Sequence, residues 1–222
     1  MRLQCLDLKK ILVAISWLAF AFASTGLIAL EINNERLKST AQKKYGTKGI
    51  QNVEKWLATL AALQAVPEEQ QLKEINDFWN RVAVAGEDIH IWGVEDYWAT
   101  PLETLGRAAA DCEDYVIGKY FSLIRLGVPA AKLRLIYVRA QVAGSSIAHM
   151  VLGYYATPDA EPLLLDNLTG LIRPASQRPD LTPVFSFNSE GVYVSGSAPS
   201  SIDRISRWRG LLDKMRREGF TP

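Results

Sequence analysis

Cys112, His149 and Asp166 are the side chains with which this chain could carry out covalent chemistry. A thiolate can attack a carbonyl carbon, an imidazole can carry the proton between thiol and leaving group, and a carboxylate can hold the imidazole in one tautomer. Cys112 stands directly after Asp111, a good N-cap, at the first position of the strongest helical pattern. The positive end of a helix and its free N–H groups favour a thiolate there. The chain has only two histidines. His90 lies in an irregular stretch. His149 lies in an alternating stretch, 147–156, where it shares a face with Val151, Gly153 and Tyr155. Asp166 ends the next such stretch, and two neighbouring antiparallel strands can set a His beside an Asp. Singly, each has a plainer reading: Cys112 as a buried inert thiol, His149 as a satisfied strand histidine, Asp166 as a turn former before Asn167. The order Cys, His, Asp, with the first on a helix and the others on strands, favours the nucleophilic set.

The acids around Cys112 pose a problem for that chemistry. Asp111, Glu113 and Asp114 crowd a group that must become an anion, and like charges disfavour a thiolate. Helix capping explains one or two of them. A bound hard cation, calcium above all, explains them together, since it takes carboxylate oxygens and cancels the field. For the oxyanion, the backbone N–H of Cys112 is a natural donor. A Trp or Tyr from 92–98 could supply a second, although cleft or core packing accounts equally for those aromatics.

Around these residues the elements order themselves. Residues 31–44 are polar and read as a short helix. Val53, Trp56, Leu57, Leu60 and Leu63 have helical spacing over 49–64. Pro67-Glu68-Glu69 opens a further helix presenting Leu72, Ile75, Phe78, Trp79 and Val82. Leu102–Ala110 reads as a short helix. In 111–126, Val116, Ile117, Tyr120, Phe121, Leu123 and Ile124 cover most of the surface, leaving Lys119, Ser122 and Arg125 as a narrow polar stripe, so this helix is largely buried. Gly127 and Pro129 end it. The period then changes to two: strands are expected at 133–140, 147–156 and 162–166, and a hairpin at 184–187 and 192–195. From Ile202 the pattern is amphipathic helix. Helices followed by an antiparallel meander predict an α+β fold.

The 222 residues, 24.7 kDa, suit one compact domain with an appendage. At 48% hydrophobic and 22% charged, the chain can build a core and is not a disordered one. A net charge of +1 gives no global attraction to nucleic acid. Two cysteines exclude a disulfide scaffold or a four-Cys zinc site. Arg2, Lys9 and Lys10 precede an uncharged run from Ile11 to Leu30. This is the layout of a secretory signal, with Ala21-Phe22-Ala23 fitting the small-x-small cleavage rule. Uncleaved, about 20 residues would reach roughly 30 Å and anchor the chain in a bilayer. Residues 1–30 are therefore expected to be a signal peptide or membrane anchor, and 31–222 an exported domain in which Cys112 has no cysteine partner.

Several segments resemble one known family. They are Trp98-Ala99-Thr100-Pro101, Asp111-Cys112-Glu113-Asp114-Tyr115, Lys119-Tyr120-Phe121-Ser122-Leu123, Leu126-Gly127-Val128-Pro129, Leu133-Arg134-Leu135-Ile136-Tyr137-Val138 and Ala148-His149-Met150-Val151-Leu152. Over roughly residues 75–195 the chain resembles the bacterial transglutaminase-like cysteine proteinases. One position departs: the family's motif is expected to have glycine where this chain has Ala110. The resemblance implies a papain-like, transglutaminase-like fold, with N-terminal helices and a buried nucleophile helix packed on an antiparallel sheet. It implies Cys112 as nucleophile, His149 as base and Asp166 as its orienting acid. It implies a calcium site at Asp111 and Glu113, with Asp114 as a further candidate. It also implies a periplasmic endopeptidase that releases a large surface adhesin and so controls biofilm attachment, sequestered by an inner-membrane cyclic-di-GMP receptor of the LapD kind. Two other functions remain compatible with the residues: a transglutaminase or amidase acting on glutamine side chains, and a non-catalytic calcium-binding interaction module.

Overall fold

The computed structural model describes residues 30–194, 197–202 and 205–221. The proposed signal or anchor, apart from Leu30, lies outside the described residues, as does Ser195 at the end of the expected hairpin. Among the described residues no helix is long and apolar enough to cross a membrane.

The first strand, β1 (Glu31–Ile32), pairs antiparallel with the last, β10 (Phe220–Thr221), so the two ends of the domain are clipped together. Helix α1 (Asn34–Ala62) starts at Asn33, whose Oδ1 accepts from the Arg36 N–H at 2.9 Å. The two expected helices, 31–44 and 49–64, are one element broken at Gly46, where φ is 64° and ψ −156°. Only glycine adopts that backbone without strain. Helix α2 (Glu68–Val82) carries two acids in its first turn. Helix α4 (Pro101–Arg107) follows a short turn of helix, α3 (Asp88–Ile91), and is held by a capping box. Thr100 Oγ1 accepts from the Glu103 N–H, and Glu103 Oε2 accepts from the Thr100 N–H. The helix ends three residues short of the expected Ala110, because Ala108 turns left-handed (φ 53°). The chain then enters β3 (Ala109–Ala110), which pairs parallel with β2 (Val84–Ala85).

Helix α5 (Cys112–Arg125) is capped by Asp111, whose Oδ1 accepts from the Asp114 N–H at 3.2 Å. It is more deeply buried than its pattern suggests. Lys119 and Ser122, expected on a polar stripe, are both 0% exposed. Ser122 is satisfied: its Oγ accepts from the indole N–H groups of Trp56 and Trp79, 2.9 Å each, and donates to the Gly118 carbonyl. Helix α2 approaches α5 so closely at Gly118 that a Cβ there would fall 2.5 Å from the Trp79 ring.

Helix α5 packs on a six-stranded antiparallel sheet of order β7-β6-β5-β4-β8-β9. Its strands are β4 (Leu133–Val142), β5 (Ser145–Tyr154), β6 (Leu163–Leu165), β7 (Arg173–Pro174), β8 (Leu181–Phe187) and β9 (Val192–Tyr193). β4 runs two residues longer than expected and β5 starts and ends two residues earlier; they meet in a two-residue turn, Ala143-Gly144, both with positive φ (49° and 82°), as a tight hairpin requires. β6 pairs only with the far half of β5, from Leu152 to Tyr154. Ser145–Met150 therefore runs past the end of β6. The final helix, α6 (Ser206–Glu218), begins four residues later than expected and lays Trp208 flat against Phe121, centroids 5.6 Å apart. The architecture is α+β, as the period change predicted.

Candidate active site

Three elements converge on one groove of about 930 Å³. The start of α5 contributes Cys112 to its lining, β5 contributes Ile147 to Met150, and the β2–α3 segment contributes Asp88. Trp98, Tyr137 and Phe185 form apolar wall.

His149 is 3% exposed and Asp166 is 0% exposed. Asp166 is the first residue after β6, and β6 ends with Leu165 opposite Leu152 of β5. That register sets His149 Nε2 2.7 Å from Asp166 Oδ1. With Nε2 engaged, Nδ1 is the ring nitrogen left to exchange a proton with a neighbour. Asp166 is held further by the Leu168 N–H at 3.1 Å and by Arg178 Nη2 at 2.8 Å, while its backbone carbonyl accepts from Asn80 Nδ2 at 2.8 Å. Burial works to raise the Asp166 pKa, but the hydrogen bond and charge of His149, with the hydrogen bonds of the Leu168 N–H and Arg178, outweigh it and bring the carboxyl down to about 2. The carboxylate is therefore the stable form. Arg178 and Asn80 were not legible in the sequence as supports of this site. Arg178 sits in a loop, Asn80 on a helix 86 residues from its partner, and nothing local marks either.

A depressed carboxyl contributes stability above its unfolded pKa and loses it as pH falls through the folded value. Asp166 should thus contribute on the order of 2 kcal/mol at neutral pH, lost between about pH 4 and pH 2. Asp166→Asn should lower the urea midpoint at pH 7, and the gap to the unaltered protein should narrow steadily below pH 4. A gap that stays constant with pH would contradict this.

Cys112 lies half-buried at the first helical position of α5. Its Sγ donates to Glu113 Oε2 at 3.0 Å. Burial, then the Glu113 and Asp111 carboxylates, push the thiol pKa up, while the Met150 N–H pulls the other way. The like-charge problem read from the sequence is therefore present in the fold.

The acids sort themselves into two groups. Asp88, Asp111 and Glu113 can each offer an oxygen such that all three lie within 4.8 Å of one another. Asp88 was missed by the sequence reading. It is brought there by the parallel β2–β3 pairing, which runs on through a Gly86 N–H to Ala110 carbonyl bond of 2.9 Å and sets residues 86–88 beside 110–111. Asp114 stands outside this cluster. It is fully buried, and its Oδ1 accepts from the Ala99 N–H at 2.7 Å. Burial followed by the charges of Asp114, Glu113 and Asp88 raises Asp111 to about 10, and burial also raises Asp88. Asp88 accepts from the Tyr97 N–H through Oδ2, but its buried Oδ1 has no hydrogen-bond partner among the described residues. A set of hard oxygen donors with one buried oxygen unpartnered fits a calcium ion.

Ala110, where glycine was expected, is fully buried and not among the residues with positive φ. Its Cβ is therefore accommodated without backbone strain. Of the aromatics at 92–98, Trp98 stacks on Phe187 at 5.7 Å, and Trp92 packs on Tyr97 at 4.7 Å. The Tyr97 hydroxyl donates to Glu103 at 2.7 Å. Packing and this bond account for Trp98 and Tyr97, while the buried Trp92 Nε1 has no hydrogen-bond partner among the described residues.

The model of the bacterial transglutaminase-like cysteine proteinase family matches residues 32–180. This chain belongs to that family. Among solved structures it is similar to LapG of Legionella pneumophila in three forms. The EGTA-treated form is 35% identical, covering 84% of this chain and 100% of that one, with a TM-score of 0.74. A second LapG structure is 35% identical, covering 84% and 99%, at 0.73. The calcium-bound form is 37% identical, covering 83% and 99%, at 0.72. No curated protein sequence matches the chain. The fold is thus that of a transglutaminase-like cysteine protease, and one similar protein of the family has been seen with calcium bound.

Proposed function

We propose that this chain is a calcium-dependent periplasmic cysteine endopeptidase that cleaves the N-terminal region of a large surface adhesin and so controls biofilm attachment. The observation that carries the reading is the groove itself, which is lined by Cys112 at a helix start and by His149, whose Nε2 is tied to Asp166 at 2.7 Å.

In the proposed reaction, His149 accepts the thiol proton at Nδ1. The Cys112 sulfur then adds to the scissile carbonyl carbon. The C–N bond breaks, the amine leaves with the proton from the imidazolium, and a thioester remains. Water attacks the thioester with His149 again taking a proton, which returns to sulfur as the acid product leaves. Asp166 stays ionised throughout and holds the ring. The Cys112 N–H, free at the helix start, is placed to donate to the oxyanion.

Asp88, Asp111 and Glu113 would hold calcium. The bound ion supplies positive charge that offsets the carboxylates raising the thiol pKa. Glu113 belongs to both arrangements, since it accepts a hydrogen bond from the Cys112 thiol and sits in the acidic cluster.

The basic start and apolar run of residues 1–30 support export; the adhesin substrate and capture by an inner-membrane cyclic-di-GMP receptor of the LapD kind are what the family resemblance of the motifs around Cys112 and His149 implies. The deciding experiment mixes residues 31–222 with the N-terminal region of a candidate adhesin and a labelled amine, with and without chelator. Fragments that appear only without chelator are expected. Incorporation of the amine without fragments would favour a transglutaminase. Neither product, with Cys112 labelling slowly whether or not calcium is present, would leave a calcium-binding interaction module.

A further inference from the structure

Lys119 is a buried cation with no part in the arrangement above. It lies on α5, seven positions after Cys112, and is 0% exposed. Its Nζ has no hydrogen-bond partner among the described residues and stands 5.9 Å from the Tyr115 ring centroid. The carboxylates acting on its charge are Asp166 and Asp77. A donor-only group buried in this way is costly.

The facing helix carries the complement. Asn76 and Asn80 lie one turn apart on α2. Each commits its Nδ2 to the segment after β6, Asn80 to the Asp166 carbonyl at 2.8 Å and Asn76 to the Gly170 carbonyl at 3.1 Å. Those bonds fix the orientation of the amides. Each leaves Oδ1 buried and without a partner among the described residues. The two helices meet where Gly118, next to Lys119, faces the Trp79 ring, next to Asn80, so two acceptors on α2 and a three-donor ammonium on α5 sit on facing helices, a match that an internal water can bridge. Burial brings the Lys119 pKa down to about 7, against the opposing pull of Asp166 and Asp77.

We propose that Lys119, with Asn76 and Asn80, is a positioning residue that acts through Asp166, holding that carboxylate and its loop where His149 meets it. The inference rests on the nucleophile–base reading of Cys112 and His149. Stability alone is a poor reason for such a lysine, because apolar replacements of buried charges are often neutral or stabilising.

The test needs no substrate. With saturating calcium, the iodoacetamide alkylation rate of Cys112 is compared in the unaltered protein, Lys119→Met and Asn80→Ala, alongside thermal melts and the NMR signals of the histidine rings. Only two histidines are present, and His90 is exposed, so the second signal belongs to His149. Lys119→Met should melt no lower than the unaltered protein, alkylate about tenfold more slowly and shift the His149 signals while those of His90 stay put. Asn80→Ala should slow alkylation in the same direction and carries the decision if Lys119→Met does not fold. Fast alkylation in the unaltered protein that persists in the folded variants, with His149 signals unmoved, overturns the role of Lys119 and leaves the nucleophile–base reading standing. Alkylation of the unaltered protein no faster than a free thiol removes both.

Discussion

Replacing Cys112 by Ala should abolish peptide cleavage, with a loss on the order of 10⁴-fold or more, while leaving the fold intact. The expected loss is large because the sulfur forms the covalent intermediate. Removing it leaves only binding and the oxyanion donors, which account for a small residue of the rate. The fold should tolerate the change because the thiol is only half-buried and its bond to Glu113 joins it to an adjacent residue of the same helix. His149→Ala should lose as much when tested alone, and the double variant should lose little more, since residues acting as a unit are not additive. Rates from burst and steady-state cleavage, with circular dichroism on each variant, check this. Substantial cleavage by folded Cys112→Ala would end the assignment.

Removing calcium should produce the second-largest effect. Without the ion, burial and the carboxylates of Glu113 and Asp111 raise the thiol pKa. Each unit above ambient pH cuts the thiolate tenfold. Chelation should therefore slow both cleavage and Cys112 alkylation by at least about tenfold, and added calcium should restore both. Among the described residues the geometry gathers three of the acids and leaves Asp114 apart. Asp88→Asn removes one of three gathered carboxylates and should weaken calcium binding by at least about 10–100-fold, the range set by losing only an outer-shell partner. Asp114→Asn, outside the cluster and bonded to the Ala99 N–H, should leave calcium affinity close to that of the unaltered protein. Calorimetric titration of both variants separates the two. Equal losses would place Asp114 among the ligands.

Two particular elements show how far one sequence can be read. Helix α5 was legible because capping and apolar spacing are local: Asp111 caps it, and Val116, Ile117, Tyr120 and Leu123 mark its buried face. Its polar stripe misled, because Lys119 and Ser122 found an environment made by other helices, with Trp56 and Trp79 closing over Ser122. The β4–β5 turn falls earlier and tighter than the pattern predicts, with β4 two residues longer and β5 two residues earlier, because an Ala-Gly turn with both φ positive has little signature of its own.

The sequence by itself determined the α+β class, the order of cysteine, histidine and carboxylate along the chain, and a crowd of acids at the helix start. All of these depend on the near neighbours of each residue. Only the tertiary structure decided that His149 meets Asp166 through Nε2, that Arg178 and Asn80 steady that carboxylate, and that Asp88 rather than Asp114 joins Asp111 and Glu113. The reason is physical. Those partners lie 12 to 86 residues apart along the chain, and strand register and helix packing, not local propensity, set which side chains share a buried space.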